Sequence, residues 1–281
     1  FEDDGTDIYA NFNYWDEQDT NQGIDKFWGI ENVITFSGDD RIFGNDKDNI
    51  ITAGKGNDFI NTGSGNDTFK FSGDDDYKIN LFTNLAQDTG EGIDTLIAVE
   101  NVISGSGNDR LSGSNGDNIF DPGYGDDLIN AGGGSDTIKF TGLDSVSVDI
   151  SYGGAQNTGY GRDTIWGMEN VISSDADDII KGNSKVNKIE AGSGNDQIWG
   201  RENDDIFVFK NNFGEDIIKD FELGDFIDIS GIQGAYFEET NVNQSQKKLS
   251  IFNDEKIYQG SITLQVDDVD NLDTNYLNFI Y

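Results

Sequence analysis

A nine-residue spacing of acidic and amide side chains restricts the fold of this chain more than any other feature. It begins with Glu31, Asp40, Asn49, Asp58 and Asp67. Two positions after each of these residues stands an apolar residue, and the whole pattern recurs twice downstream. The apolar positions are Val33, Ile42, Ile51, Ile60, Phe69, Val102, Leu111, Phe120, Ile129, Ile138, Val171, Ile180, Ile189, Ile198 and Phe207. Such a phase predicts a repeated structural unit.

A longer repeat contains the short one. The segments GIDKFWGIENVI, GIDTLIAVENVI and GRDTIWGMENVI begin at residues 23, 92 and 161, so they are 69 residues apart. We therefore expect three similar modules followed by a C-terminal segment of a different kind, with the boundaries 1–73, 74–142, 143–212 and 213–281.

The nine-residue unit has the form GGxGxDxUx, where U is apolar. Its first six residues are glycine-rich and polar, which is typical of turns. Its last three residues can form a short strand with one buried side chain. Two units make a coil, and stacked coils pair their strands in parallel. The sequence thus predicts an all-β protein of three parallel β-rolls, with antiparallel flanking strands and a C-terminal β cap. We expect KINLF at 78–82 and VSVDI at 146–150 to form the antiparallel flanking pairs.

Composition excludes several functions. The net charge is −36, and the chain has neither His nor Cys. Imidazole catalysis, thiolate chemistry and His- or Cys-ligated zinc are therefore excluded. Nucleic-acid binding, which needs clustered Lys and Arg, is not expected. No apolar run reaches the ~20 residues of a membrane-spanning helix.

Stacked turns would bring carboxylates of the same flank close together. Asp40 and Asp58 are 18 residues apart, one full coil. Two carboxylates about 5 Å apart repel each other, and more strongly where they are partly buried. A cation between the turns would replace this repulsion by attraction of both carboxylates to the ion. Carboxylate and carbonyl oxygens suit Ca²⁺, whereas Mg²⁺ retains its water and demands octahedral geometry.

GKGNDFINTGSGNDTF at 54–69 resembles the repeats-in-toxin (RTX) family of calcium-binding β-rolls. IENVITFSGDDRIFGN at 30–45 is similar to the start of the roll of serralysin-type proteases, and EDIIKDFELGDFIDISGI at 215–232 to its end. The resemblance implies that each ion lies between one unit and the next but one. The earlier turn provides the carbonyls of its second and fourth places and the acid of its sixth. The later turn provides its first and third carbonyls and its own acid.

Applied to each module, that scheme names the candidate ligands. In module 1 they are Gly29, Glu31, Phe36, Gly38, Asp40, Gly44, Asn45, Asp46, Lys47, Asn49, Ala53, Lys55, Asp58, Thr62, Ser64 and Asp67. In module 2 they are Ala98, Glu100, Gly105, Gly107, Asp109, Gly113, Ser114, Asn115, Gly116, Asn118, Pro122, Tyr124, Asp127, Ala131, Gly133 and Asp136. In module 3 they are Gly167, Glu169, Ser174, Ala176, Asp178, Gly182, Asn183, Ser184, Lys185, Asn187, Ala191, Ser193, Asp196, Gly200, Glu202 and Asp205. Beyond module 3, we expect Asp216 and Asp220 to complete a terminal site with Asp196 or Asp205.

The resemblance implies about nine Ca²⁺ ions, roughly three per module. Departures from the motif predict weaker sites. Asn49, Asn118 and Asn187 are neutral, and other residues replace the glycine of the fourth place at Lys47, Ala176, Lys185 and Asn203. Module 3 lacks several of the expected glycines and should bind calcium least tightly.

A second turn type precedes each roll and is out of the nine-residue phase. Its members are TNQGID, TGEGID and TGYGRD, which end at Asp25, Asp94 and Asp163. Two interpretations stay open for these aspartates. They bind a further ion, or they only cap the turn.

The resulting functional hypothesis is a calcium-binding region that is exported by a type I secretion apparatus and folds when it meets Ca²⁺ outside the cell or at its surface. NFIY at the C-terminus resembles the terminal motif of type I substrates, although Asn278 stands where an acid is common. Phe1 starts in mid-pattern, so we expect a longer protein whose specific activity lies upstream. No enzymatic activity is expected of this region.

The rival hypothesis is a calcium-dependent adhesin, a glycan-binding module or a self-associating surface-layer segment. Four tryptophans could stack on sugars, namely Trp15, Trp28, Trp166 and Trp199. Trp28 and Trp166 occupy equivalent positions with Ile97 between them, and we interpret those two as packing residues.

Overall fold

The computed structural model describes residues 2, 5–71, 73–243 and 245–266, together with the backbone of 278–280. All regular structure in these residues is β, as predicted, and they contain no helix. Within the same residues no helix has the length and apolar character needed to cross a membrane. The chain divides into two compact units, Phe1–Asp136 and Thr137–Tyr281. The division into three modules and a C-terminal segment stays a prediction.

The strands are short because each coil places one apolar side chain inside per strand. In the first unit they are β1 (Tyr9–Asn11), β2 (Gln18–Asp19), β3 (Ile24–Asp25), β4 (Asn32–Ile34), β5 (Arg41–Phe43), β6 (Ile50–Thr52), β7 (Phe59–Asn61), β8 (Thr68–Lys70), β9 (Lys78–Asn80), β10 (Gln87–Asp88), β11 (Ile93–Ile97), β12 (Asn101–Ile103), β13 (Arg110–Ser112), β14 (Ile119–Asp121) and β15 (Leu128–Asn130). The unit boundary falls within β16 (Asp136–Lys139).

The second unit contains the remaining strands. They are β17 (Ser147–Asp149), β18 (Gln156–Asn157), β19 (Arg162–Trp166), β20 (Met168–Ile172), β21 (Ile179–Lys181), β22 (Lys188–Glu190), β23 (Gln197–Trp199), β24 (Ile206–Val208), β25 (Gly214–Ile218), β26 (Phe226–Asp228), β27 (Tyr236–Asn243), β28 (Gln246–Phe252), β29 (Tyr258–Gln265) and β30 (Asn278–Ile280).

Parallel ladders stack the coils of the first unit. One ladder runs β4-β6-β8-β12-β14, a second runs β1-β5-β7-β11, and a third runs β9-β13-β15. In the first ladder Val33 pairs with Ile51, and Ile51 pairs with Phe69 one coil further on. This is the 18-residue register that the sequence predicts. Every apolar residue of the nine-residue pattern is buried, so the prediction of the core is confirmed.

The second unit continues the same construction through its C-terminal part. Its parallel ladders run β17-β21-β23-β25 and β20-β22-β24-β26-β30. Ile218 pairs with Ile198, and Ile227 pairs with Phe207, each 20 residues along instead of 18. The segment after residue 213 thus adds one more coil before the chain turns into the antiparallel meander β27-β28-β29.

The expected antiparallel pairing of KINLF and VSVDI is wrong. β9 pairs in parallel with β13, and β17 pairs in parallel with β21. The reason is that Ile79 and Val148 occupy the apolar position of a coil and stack on Leu111 and Ile180. Antiparallel pairs occur instead around the out-of-phase turns, where β2 meets β3, β10 meets β11 and β18 meets β19.

Candidate metal centre

A ladder of aspartates runs along one flank of the first unit. The backbone N–H of Asp40 donates to Oδ1 of Asp58 at 2.8 Å, and the N–H of Asp58 donates to Oδ1 of Asp94 at 2.7 Å. Oδ1 of Asp40 accepts the N–H of Ile8 at 2.7 Å. Each carboxylate thus binds the backbone of the turn before it, which explains why an acid recurs at the sixth place of the unit.

The second oxygen of most of these carboxylates has no protein partner. Asp58 is 2% exposed and Asp40 is 1% exposed. A buried carboxylate oxygen without a hydrogen bond is costly, so it indicates a ligand that the protein itself does not supply. Buried Oδ2 atoms without a partner include those of Asp40, Asp58, Asp67, Asp109, Asp196, Asp205 and Asp216.

Backbone carbonyls converge on the same gaps between turns. A Cβ atom on Gly54 would lie 1.4 Å from the carbonyl oxygen of Phe36, and one on Gly56 would lie 1.8 Å from that of Gly38. Glycine is required at both places because these carbonyls point at the next turn. The carbonyls are those of the second and fourth places, the positions named as ligands from the sequence.

The carbonyl oxygens also join neighbouring turns by hydrogen bonds. Phe36 O accepts the N–H of Lys55 at 2.7 Å, and Lys55 O accepts the N–H of Gly38 at 2.9 Å. A carbonyl oxygen has two lone pairs, so each retains one for a cation. Among the described residues no group of three or more acidic side chains assembles a metal site. A cation here would therefore need these carbonyls in addition to the paired aspartates.

Burial raises the pKa of the stacked carboxyls, since no solvent stabilises their charge. The pKa of Asp58 is raised to about 8, chiefly by burial and further by the neighbouring Asp94 and Asp40 carboxylates. Burial likewise raises the pKa of Asp205 to about 7 and that of Asp225 to about 6. Without a cation, the stacked aspartate carboxyls are therefore either protonated or repel one another as carboxylates.

The asparagine turns are built differently. Oδ1 of Asn118 accepts the N–H of Ser114 at 2.7 Å, and its Nδ2 donates to the carbonyl of Glu100 at 2.7 Å. Asn187 repeats this arrangement, with Nδ2 donating to the carbonyl of Glu169 at 2.8 Å. Asn49 does the same toward Glu31, at 3.2 Å. An amide N–H thus lies between these turns and satisfies a carbonyl without any ion.

Two further contacts distinguish the third module. The ammonium of Lys185 forms an ion pair with the carboxylate of Glu169, whose side chain is 8% exposed. The hydroxyl of Ser173 donates to Oδ2 of Asp178 at 2.5 Å, so the described protein already supplies a partner for that oxygen. The lysine therefore occupies a role that a cation would otherwise fill, and the serine fixes the orientation of the Asp178 carboxylate.

The structure also shows where the remaining candidate residues lie. Asp216 Oδ1 accepts the N–H of Asp196 at 2.9 Å, which is the expected juxtaposition. Asp220 does not join a stack, because its two oxygens accept the N–H groups of Gly200 and Arg201. Asp225 takes that place, since its Oδ1 accepts the N–H of Asp205 at 2.9 Å.

The nine-residue phase does not reveal Asp225, because this residue is 20 positions after Asp205 and so is out of phase. The signal that could have revealed it is Ile227, the apolar residue two positions later.

Three threonine hydroxyls of the out-of-phase turns were also not predicted as functional groups. Thr20, Thr89 and Thr158 each donate to the aspartate that ends the same out-of-phase turn, Asp25, Asp94 or Asp163.

The donor set fits Ca²⁺. Unpartnered carboxylate oxygens and carbonyl oxygens that point toward the next turn are hard ligands, which suit the large and irregular coordination of Ca²⁺. The paired aspartates of adjacent coils would hold the ion, together with the carbonyls of the turns that carry them. Binding would neutralise the buried charge.

Comparison with known protein families identifies the nine-residue repeats. The protein-family model described as RTX calcium-binding nonapeptide repeat (4 copies) matches residues 34–69, 103–138 and 172–207. No curated protein matches the chain. Among solved structures, the crystal structure of extracellular lipase LipA from Serratia marcescens is similar, with 18% sequence identity and a TM-score of 0.30. That match covers 64% of this chain and only 40% of the lipase chain. The three matched segments are therefore RTX calcium-binding nonapeptide repeats.

Proposed function

We propose that this chain is the calcium-responsive region of a secreted or cell-surface protein and that it folds when it binds Ca²⁺ after type I export. The observation that carries the proposal is the set of buried Asp Oδ2 atoms that have no partner in the described protein. A chain of net charge −36 that must bury these carboxylates is unstable without cations. Binding free energy then becomes folding free energy.

The sites are not expected to be equal. Turn pairs with an aspartate on both sides, such as Asp40 with Asp58 and Asp109 with Asp127, offer two carboxylates and should bind most tightly. The pairs closed by Asn49, Asn118 and Asn187 already satisfy a carbonyl with an amide and should bind weakly. For the regular turn pairs of the three modules, the total of about nine ions that the family pattern implies is therefore an upper estimate.

A calcium titration tests the proposal directly. Circular dichroism should show little β-structure in EGTA and a cooperative gain of β-structure as CaCl₂ is added. Isothermal titration should give several ions per chain, and MgCl₂ at the same concentration should not replace calcium. A spectrum that is the same in EGTA and in calcium would contradict the proposal.

Export is tested separately. NYLNFIY, the segment that resembles a type I signal, lies mostly outside the described residues. We expect removal of 275–281 to abolish secretion by a type I apparatus in cells while calcium-dependent folding of the purified chain is retained. Secretion at an unchanged level would mean that the signal lies elsewhere.

One observation favours a second function, that of a glycan-binding or adhesive module. Trp28 is 91% exposed and Trp15 is 77% exposed, so both side chains are accessible to a planar ligand such as a sugar ring. The interpretation of Trp28 as a packing residue is therefore wrong. A glycan array probed in CaCl₂ tests sugar binding, and light scattering with and without calcium tests self-association.

A further inference from the structure

The out-of-phase turn 89–94 stacks on the turn 53–58, although the two belong to different predicted modules. Asp58 N–H donates to Asp94 Oδ1 at 2.7 Å. Gly56 N–H donates to the carbonyl of Glu91 at 3.1 Å, and Ile93 N–H donates to Oδ1 of Asn57 at 3.0 Å. Three contacts therefore fix the register of the two turns.

The same contacts occur one coil earlier, between two turns in the nine-residue phase. Asp40 N–H donates to Asp58 Oδ1 at 2.8 Å, and Gly38 N–H donates to the carbonyl of Lys55 at 2.9 Å. Asn57 N–H donates to Asp39 Oδ1 at 2.8 Å. The junction between the modules thus reproduces the geometry of a regular turn pair over a separation of 36 residues instead of 18.

The carbonyl that would bind a cation is also reproduced. A Cβ atom on Gly92 would lie 1.6 Å from the carbonyl oxygen of Gly56, compared with 1.8 Å between a Cβ on Gly56 and the carbonyl of Gly38. Gly92 therefore has the role of the fourth-place glycine. TGEGIDTLI at 89–97 reads as a nonapeptide unit with Leu96 as its apolar residue, and Leu96 stacks on Ile60.

The junction is buried and lacks positive charge. Asp58 is 2% exposed, Asp94 is 1% exposed, and Asp58 Oδ2 has no hydrogen-bond partner. The hydroxyl of Thr89 fixes the orientation of Asp94 by donating to its Oδ2. No lysine or arginine of the described residues forms an ion pair with either aspartate. Two carboxylates thus meet in a closed space that no side chain neutralises.

We propose that a further Ca²⁺ site lies between turns 53–58 and 89–94, where Asp58, Asp94 and the carbonyl of Gly56 are its ligands. Turn 89–94 lies outside the segments that match the repeat family, whereas turn 53–58 lies within one of them. The proposal rests on the proposed function in that the repeats bind calcium. Its ligands come from both of the first two modules. The ion therefore joins these modules, and their folding is coupled through it.

The test uses the full chain and two substitutions that remove the same charge. Asp94→Asn removes a ligand of the junction. The control Asp88→Asn changes an exposed residue of β10 six positions earlier. Calcium stoichiometry is measured by equilibrium dialysis, and folding is followed by circular dichroism at increasing CaCl₂.

We expect Asp94→Asn to bind one ion fewer than the wild type and to fold in a less steep calcium transition, while Asp88→Asn behaves as the wild type. An Asp94→Asn chain with unchanged stoichiometry and unchanged steepness overturns the junction site and leaves the proposed function intact. A wild-type chain that binds no calcium overturns the proposed function itself.

Anomalous scattering from crystals of the wild-type chain grown in CaCl₂ decides the matter if the variant does not fold. A calcium peak beside Asp58, Asp94 and the Gly56 carbonyl supports the site. Peaks in the regular turn pairs with none at the junction overturn it.

Discussion

The backbone N–H of Asp196 donates to Oδ1 of Asp216 at 2.9 Å, so the segment that follows the last repeat block continues the carboxylate ladder of that block. The same relationship joins Asp205 to Asp225 on the other flank. Both acceptors are buried, at 1% and 2% exposure. We therefore propose that the segment from 213 onward contributes ligands to the candidate calcium sites and does not merely cover them.

We predict that Asp216→Asn and Asp225→Asn each raise the calcium concentration needed to fold the chain. Each removes one carboxylate from a buried pair, and the loss should affect the second unit most. Asp254→Asn is the control, since it changes an exposed residue of the meander by the same chemistry. The midpoint of a calcium titration followed by circular dichroism measures the effect. Equal midpoints for all three variants would show that the terminal pairs bind no ion.

A second prediction compares Asp58→Ala with Asp16→Ala. Asp58 accepts the N–H of Asp40 in the buried ladder, whereas Asp16 is exposed in a loop. Losing a buried hydrogen-bond partner alone costs about 1–3 kcal/mol, and the loss of a calcium ligand adds to it. We expect Asp58→Ala to lower calcium affinity and the melting temperature in calcium, with little change for Asp16→Ala. If the two variants respond alike, the nine-residue phase does not identify ligands.

A third prediction concerns the amide that closes the asparagine turns. Asn118→Asp replaces the Nδ2 donor to the Glu100 carbonyl by a carboxylate oxygen. In EGTA this variant should be less stable, because two oxygens then face each other without a hydrogen between them. In calcium it should gain affinity at the pair of Glu100 and residue 118.

Asn115→Asp is the matched control for that experiment, because the same change falls on an exposed side chain of the same turn. Thermal melts in EGTA and in CaCl₂ give both effects. Stability that falls equally in EGTA and in calcium would mean that the asparagine turn does not become a cation site.

Much of the fold followed from the sequence because the apolar phase is direct evidence of stacking. Val33, Ile51 and Phe69 are 18 residues apart and pair in that order. The junction could not be predicted in this way, because Asp58 and Asp94 are 36 residues apart and the intervening chain forms the four strands β7 to β10, with a loop between β9 and β10. That loop is closed by Gln87, whose Oε1 accepts the N–H of Asn80 at 2.8 Å. Residue spacing alone does not show how many residues lie in such a loop and therefore do not contribute to the ladder of stacked turns.

The candidate site was predictable only as far as residue types determine geometry. The sixth-place aspartates lie on adjacent turns, as their spacing predicts, and their role as ligands stays a prediction. The orientation of Asn118, which turns its amide toward a carbonyl, depends on the backbone of its own turn. The pairing of Lys185 with Glu169 likewise depends on the distance between two turns, which the sequence alone does not give.

The last prediction is a pH dependence that has opposite signs with and without calcium. Asp58 has a pKa of about 8 in the folded, metal-free chain, raised from the ordinary value of 3.8 that applies when the chain is unfolded. Between these values the folded state binds more protons than the unfolded state, so stability falls as pH rises. The metal-free fold should therefore be most stable below about pH 4 and lose stability progressively up to about pH 8.

Calcium reverses this trend, because it binds the carboxylate and competes with the proton. Its affinity should fall as pH is lowered from about 8 to about 5. Thermal melts in EGTA and calcium titrations across this range measure the two trends, and Asp58→Asn should weaken both. A calcium midpoint that does not move between about pH 8 and about pH 5 would contradict the role of these buried carboxylates as ligands.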